Sequence, residues 1–187
     1  MPDLTNRRHF LALAAAFEGS LAVIAWALGW FFELNPLARL TLEVRGLIWG
    51  VAGTIPMILL FALANRYPVG PLRKIKQFLH ETLGPSLVAC RWYDLLLVAA
   101  IAGISEELLF RGALQPLCGL FWSNVLFGFA HCITPTYVVF AGAVGGYLGG
   151  LMEGANNLLA PIVAHALYDF LAFLVVVREC RAGQATP

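Results

Sequence analysis

Apolar runs long enough to cross a bilayer alternate with short polar breaks along this chain. The first covers residues 10–32, more than the about 20 residues that a membrane helix needs. Arg7 and Arg8 precede it, as in a signal peptide. It is longer than the usual core of about 7–15 residues, and a second apolar run follows soon after, so it reads as a retained span. That second run covers 46–64 and carries Pro56, a kink signal. Four more runs follow at 93–111, 117–133, 135–152 and 158–177, the fourth of the six being short. Between the second and third lies the most polar stretch, 65–91. There Leu72, Ile75, Leu79 and Leu83 recur at helical spacing, with Arg73, Lys74, Lys76 and His80 between them. The pattern suits a short amphipathic helix on the membrane surface, or a solvated connecting helix. The expectation is an all-α, polytopic membrane helical bundle of about six spans plus this short interfacial helix. It divides into an N-terminal span pair with a basic connector (1–92) and a helical core (93–187), integrated as a single domain.

Composition supports the membrane assignment. Of 187 residues, 60% are hydrophobic and 12% are charged. Soluble domains run at roughly 45–50% apolar and about 25% charged, so a water-exposed globule is excluded, as is disorder. The net charge of +1 leaves no basic excess with which to hold nucleic acid. The bases fall unevenly. Arg7, Arg8, Arg66, Arg73, Lys74, Lys76, Arg91, Arg178 and Arg181 lie on one side of a six-span layout, and only Arg39 and Arg45 occupy the opposite loops. By the positive-inside bias both termini are expected to be cytoplasmic, in a cell (inner) membrane. Cys90, Cys118, Cys132 and Cys180 show no CxxC spacing, and no disulfide framework is expected. In the fifth run Gly142/Gly146, Gly145/Gly149 and Gly146/Gly150 form overlapping GxxxG pairs. These read as close helix packing rather than a substrate groove.

Ionisable groups inside the apolar runs are the candidate chemistry, because each is costly in a bilayer. Glu106 and Glu107 stand in one run with Arg111. Glu107 and Arg111 are i and i+4 and can pair, whereas Glu106 points about 100° away and is left free. His131 ends the fourth run, four residues after Phe127. His165 and Asp169 share a helix face in the sixth. Glu18, in the first, reads as structural, snorkelling or bonded to Ser20. Three runs each bring titratable groups into the membrane, and one polar site inside the bundle is their simplest common solution. Two chemistries fit: a carboxylate base activating water with an oxyanion stabilised nearby, or a metal site. The zinc signature HExxH is absent.

These residues resemble a known family. Glu106-Glu107-x-x-x-Arg111 resembles an EExxxR motif, Phe127-x-x-x-His131 an FxxxH motif, and His165-x-x-x-Asp169 an HxxxN/D motif. Together they are the hallmarks of the CPBP intramembrane proteases, also called the CAAX-protease and bacteriocin-processing, or Abi, family. The resemblance spans about 93–177; the first 90 residues match only as generic membrane helices. It implies an intramembrane endopeptidase acting on a membrane-associated peptide or protein. It further implies that Glu106 activates the hydrolytic water, that His131 helps to hold it, and that His165 and the residue at 169 stabilise the oxyanion. Glu107, Arg111 and Phe127 become supporting residues, with no cofactor and no obligatory metal. Position 169 is Asp where eukaryotic members have Asn. An ionised Asp cannot donate to an oxyanion, so Asp169 is either protonated in its apolar surroundings or, the preferred reading, orients His165, whose far nitrogen then points at the substrate. The competing readings are a non-catalytic membrane immunity or scaffold protein on the same fold, and a transporter, against which no inverted repeat is visible.

Overall fold

The structure is a computed structural model and describes residues 6–185. The chain ends, to which the orientation expectation refers, lie outside the described residues. Helix α1, Arg7–Phe31, starts where the Asn6 side chain accepts from the Arg8 amide. Helix α2, Val44–Arg66, contains Pro56. The polar stretch then forms α3, Pro71–Gln77, a π-helical turn, Phe78–Leu83, and α4, Gly84–Ala89. Helix α5, Trp92–Glu107, runs without a break into a second π-helical stretch, Leu108–Leu114, and on into α6, Gln115–Ala130. Thr134 caps α7, Pro135–Ala155, and α8 follows at Leu159–Ala185. No strand occurs among the described residues, so the all-α bundle is borne out.

Helix α8 is the centre of the bundle. It packs along α2 and α5 and also meets α4 and α7. Small residues set how close these contacts are. A Cβ on Gly103 of α5 would stand 2.9 Å from the Ala166 amide nitrogen of α8, so the two backbones touch. The apolar interior gathers around Phe110, Phe127 and Met152 at one end and around Phe61, Leu87 and Val176 at the other. Large side chains such as Trp30, Phe31, Leu59 and Val139 point outward. Such an outer face is stable in hydrocarbon, where helices satisfy their backbone groups internally.

Helices α1, α2, α7 and α8 are each long and apolar enough to span a membrane, which makes this a multi-pass membrane protein. The α3–α4 segment meets the helix that begins at Trp92 at 118°, so it lies across the bundle rather than along it. The fourth apolar run differs in detail from the expected span. The chain reverses inside α6 at Gly119, whose φ of 82° and ψ of 166° interrupt the helix. The arm from there to Ala130 is only about 16 Å long, roughly half the hydrocarbon thickness. It folds back on the preceding π-helical stretch, where Ser123 Oγ donates to the Phe110 carbonyl at 2.8 Å. The reversal brings His131 back to the level of Glu106. The glycine stripe of α7 meets this arm. A Cβ at Gly128 would strike the Val138 carbonyl, and one at Gly145 would lie 3.0 Å from the Phe127 ring, in keeping with the packing reading.

Candidate active site

Glu106 and Glu107 end α5, the first 6% exposed and the second fully buried. The helix widens into its π-helical stretch directly afterwards, and such bulges are frequent at functional sites. Arg111 stays within reach. Its Nη1 donates to Glu107 Oε1 at 2.9 Å and its Nη2 to the Gly145 carbonyl at 2.5 Å. Glu106 takes no part in this pair. Its Oε2 is buried and has no hydrogen-bond partner among the described residues.

His131 sits just beyond α6. Its Nδ1 lies 2.9 Å from the Phe127 carbonyl, which can only accept, so Nδ1 carries the hydrogen in the neutral ring. Nε2 is then a free lone pair, 3.6 Å from Glu106 Oε2 and too far for a direct hydrogen bond. Phe127 stacks on His131 with ring centroids 4.5 Å apart, and the Arg111 guanidinium lies 4.6 Å from the Phe127 ring centre. The phenylalanine is thus a spacer between the arginine and the histidine.

His165 and Asp169 come from α8. His165 Nδ1 is 2.8 Å from Glu107 Oε1, and Nε2 is 3.5 Å from Asp169 Oδ2. This differs from the expected arrangement. The group that orients the imidazole is Glu107, because α5 and α8 touch where Gly103 admits them. Asp169 faces the nitrogen that was expected to point at the substrate, and the i, i+4 geometry alone brings it there.

Glu106, His131, His165 and Asp169 all line one cavity of about 560 Å³. Its walls are mainly apolar, and its far end is roofed by the α3–α4 segment. Leu72, Ile75, Leu79 and Leu83, the amphipathic stripe, face into it together with Lys76. The roof is tied down by Glu179 of α8, whose carboxylate is 3.3 Å from Lys76 Nζ and 3.1 Å from His80 Nε2.

Two residues of the site were not anticipated. Glu18 is buried and lines the same cavity, and its partner is Ser105, whose Oγ lies 2.5 Å from Glu18 Oε2. Ser20 bonds elsewhere, donating to the Phe17 carbonyl. The signal in the sequence was a carboxylate in a span; its partner depends on how α1 lies against α5. Among the described residues no group of three or more His, Cys, Asp or Glu side chains is arranged to hold a metal ion.

The helical membrane bundle thus brings carboxyl groups and two histidines to one cavity. Residues 88–171 match the family model for Type II CAAX prenyl endopeptidase Rce1-like proteins, which bears out the family read from the three motifs. That match supports membrane endopeptidase activity in general. Neither the curated proteins nor the solved structures provide a match to the chain.

Proposed function

We propose that this protein is an intramembrane endopeptidase in which Glu106 activates the attacking water. The observation that carries the reading is the buried, unbonded Glu106 Oε2 facing the free Nε2 of His131 across 3.6 Å. A water placed there gives one hydrogen to each acceptor, which holds its oxygen lone pair toward the cavity. On attack Glu106 takes the proton and later delivers it to the leaving amine. His165, held by Glu107 at Nδ1, presents its Nε2 hydrogen to the developing oxyanion. Asp169, 3.5 Å from that nitrogen, balances the imidazolium charge. Arg111 and Phe127 support this arrangement by fixing Glu107 and His131.

The apolar walls of the cavity favour a substrate that brings an apolar group alongside its scissile bond. The CAAX prenyl substrates for which the matched family is named are of that kind. The roofed end carries Lys76, Arg91 and Arg181, together with the Arg7–Asp94 ion pair, which supports assigning it to the cytoplasmic side. Residues 1–92 supply α1, α2 and the roof, so the two parts work as one integrated domain in a cell membrane. The test compares protein termini in membranes of cells carrying the wild type and Glu106→Ala. New termini that appear with the wild type alone are expected, and identical sets overturn the proposal.

A further inference from the structure

We propose that Glu18 is a positioning residue for Glu106, acting as hydrogen-bond donor to Ser105. The inference rests on the reading of Glu106 as the catalytic base and extends it to a helix outside the matched family segment.

Helix α1 offers little to the interior. Glu18, Ala25 and Gly29 are its only buried residues among those described. A carboxyl group at that depth is costly unless it is partnered, so its presence needs a reason. Its placement is set at the basic end of the bundle. Arg7 donates from Nε to Asp94 at 2.6 Å, and Ser105 lies as many residues beyond Asp94 as Glu18 lies beyond Arg7. The two contacts share a separation of 87 positions, so α1 and α5 run parallel in register, about three turns from one pair to the next.

Hydrogen accounting allows two patterns at Glu18. Ser105 Oγ lies 2.5 Å from Glu18 Oε2, 2.9 Å from the Ile101 carbonyl and 3.3 Å from the Ala102 carbonyl. A hydroxyl has one hydrogen, and the carbonyls can only accept. If Ser105 donates to Glu18, the two carbonyls keep only their helical N–H bonds and Glu18 can stay ionised. If Glu18 carries a hydrogen and donates it, Ser105 accepts and passes its own to Ile101. The second pattern keeps the buried carboxyl neutral and adds a hydrogen bond from Ser105 to Ile101, whereas the first leaves a buried charge on Glu18.

Charge favours the same assignment. The cavity and its wall already hold Glu106, Glu107 and Asp169 against Arg111 and the rings of His131 and His165, with Tyr137 and Lys76 also facing in. A fourth negative carboxylate would repel the one that must take a proton. A neutral donor instead ties the last turn of α5 to α1. Ser105 directly precedes Glu106, so the tie fixes the rotation that aims Glu106 at His131.

The test uses the full chain in lipid nanodiscs and a fluorogenic prenylated CAAX peptide as probe. Glu18→Ala is expected to lower kcat about tenfold or more at unchanged KM. Glu18→Gln, whose amide N–H can donate, is expected to recover most of that loss and to leave the acid limb of the kcat–pH profile where the wild type has it. Ser105→Ala should match Glu18→Ala, and the double variant should be no worse than either. Wild-type kcat in Glu18→Ala overturns the proposal. So does a Glu18→Gln variant no better than Glu18→Ala, or an acid limb that moves down by about one unit in Glu18→Gln, which signals a lost negative charge. A second readout needs no substrate. The infrared difference between wild type and Glu18→Gln should show a carboxylic-acid C=O band at neutral pH, and a carboxylate band there overturns the donor assignment. If the wild type leaves the peptide uncut, the activity reading falls, and the infrared band alone decides the role of Glu18 as a donor.

Discussion

His165 Nδ1 meets Glu107 Oε1 at 2.8 Å although 58 positions separate the two residues. The same oxygen takes the Arg111 guanidinium at 2.9 Å, so one fully buried carboxylate serves two cationic or donor groups from different segments. Adjacent carboxylates therefore have separable jobs. Glu107→Ala strands a fully buried arginine and a buried imidazole, and is expected to cost about 3–5 kcal/mol of stability. Glu106→Ala removes a side chain whose Oε2 bonds to nothing, and is expected to stay within about 1 kcal/mol of wild type while losing cleavage. Thermal unfolding in detergent, run beside a cleavage assay, checks both. A Glu106→Ala protein that melts as early as Glu107→Ala would contradict this division.

Asp169 poses a narrower question. Because Glu107 already orients His165, a charge at 169 is not needed to hold the ring, and Asp169 stands 3.5 Å from Nε2. Asp169→Asn is expected to keep substantial activity, since the amide can still accept and can also donate to an oxyanion. Asp169→Leu has neither capacity and is expected to lose most of it, by about tenfold or more in kcat. Equal losses in the two variants would show that the negative charge itself is required.

Phe127 offers a test of indirect positioning. Its ring lies between the Arg111 guanidinium and His131, stacked on the latter at 27°. Leucine preserves much of the volume but offers no flat face to the imidazole. Phe127→Leu is expected to cost roughly 1 kcal/mol of stability and a larger share of kcat, about tenfold, with KM little changed. Phe127→Tyr should recover activity better than leucine does if the ring face is what matters. Similar kcat in the leucine and tyrosine variants would remove that role.

How legible all this was depends on the range of each contact. The Glu107–Arg111 pair, the freedom of Glu106 from it, and the shared face of His165 and Asp169 follow from helical spacing, and the structure has them. The amphipathic stripe of Leu72, Ile75, Leu79 and Leu83 was visible too. That it also lines a cavity required knowing where α1 and α8 end. Glu18 was seen as a carboxylate in a span, but its tie to Ser105 depends on the parallel register of two helices distant in sequence. The orienting role of Glu107 toward His165 was hidden for the same reason, since it needs the close α5–α8 crossing at Gly103. Periodicity reads one helix at a time, and these contacts belong to pairs.

Gly119 shows the same limit within a single apolar run and yields a prediction of sign. Nothing in its neighbours marks it as a turn, yet its φ of 82° and ψ of 166° fall in a region essentially confined to glycine. No heavy atom lies within 4 Å of where its Cβ would stand, so backbone strain alone sets the cost of a side chain there. Gly119→Ala is expected to destabilise by about 1–3 kcal/mol. It should also reduce cleavage, because the reversal is what returns His131 to Glu106. Gly150 provides the control. It too has open space around its Cβ position, but it lies in regular helix. There the same substitution restricts the unfolded chain without straining the folded one, and is expected to stabilise by about 0.4–1 kcal/mol. Opposite shifts in melting temperature for the two alanine variants are the expected result. A Gly119→Ala protein as stable as Gly150→Ala would mean that the fourth apolar run can continue as straight helix, and that the short returning arm is not what holds His131 in place.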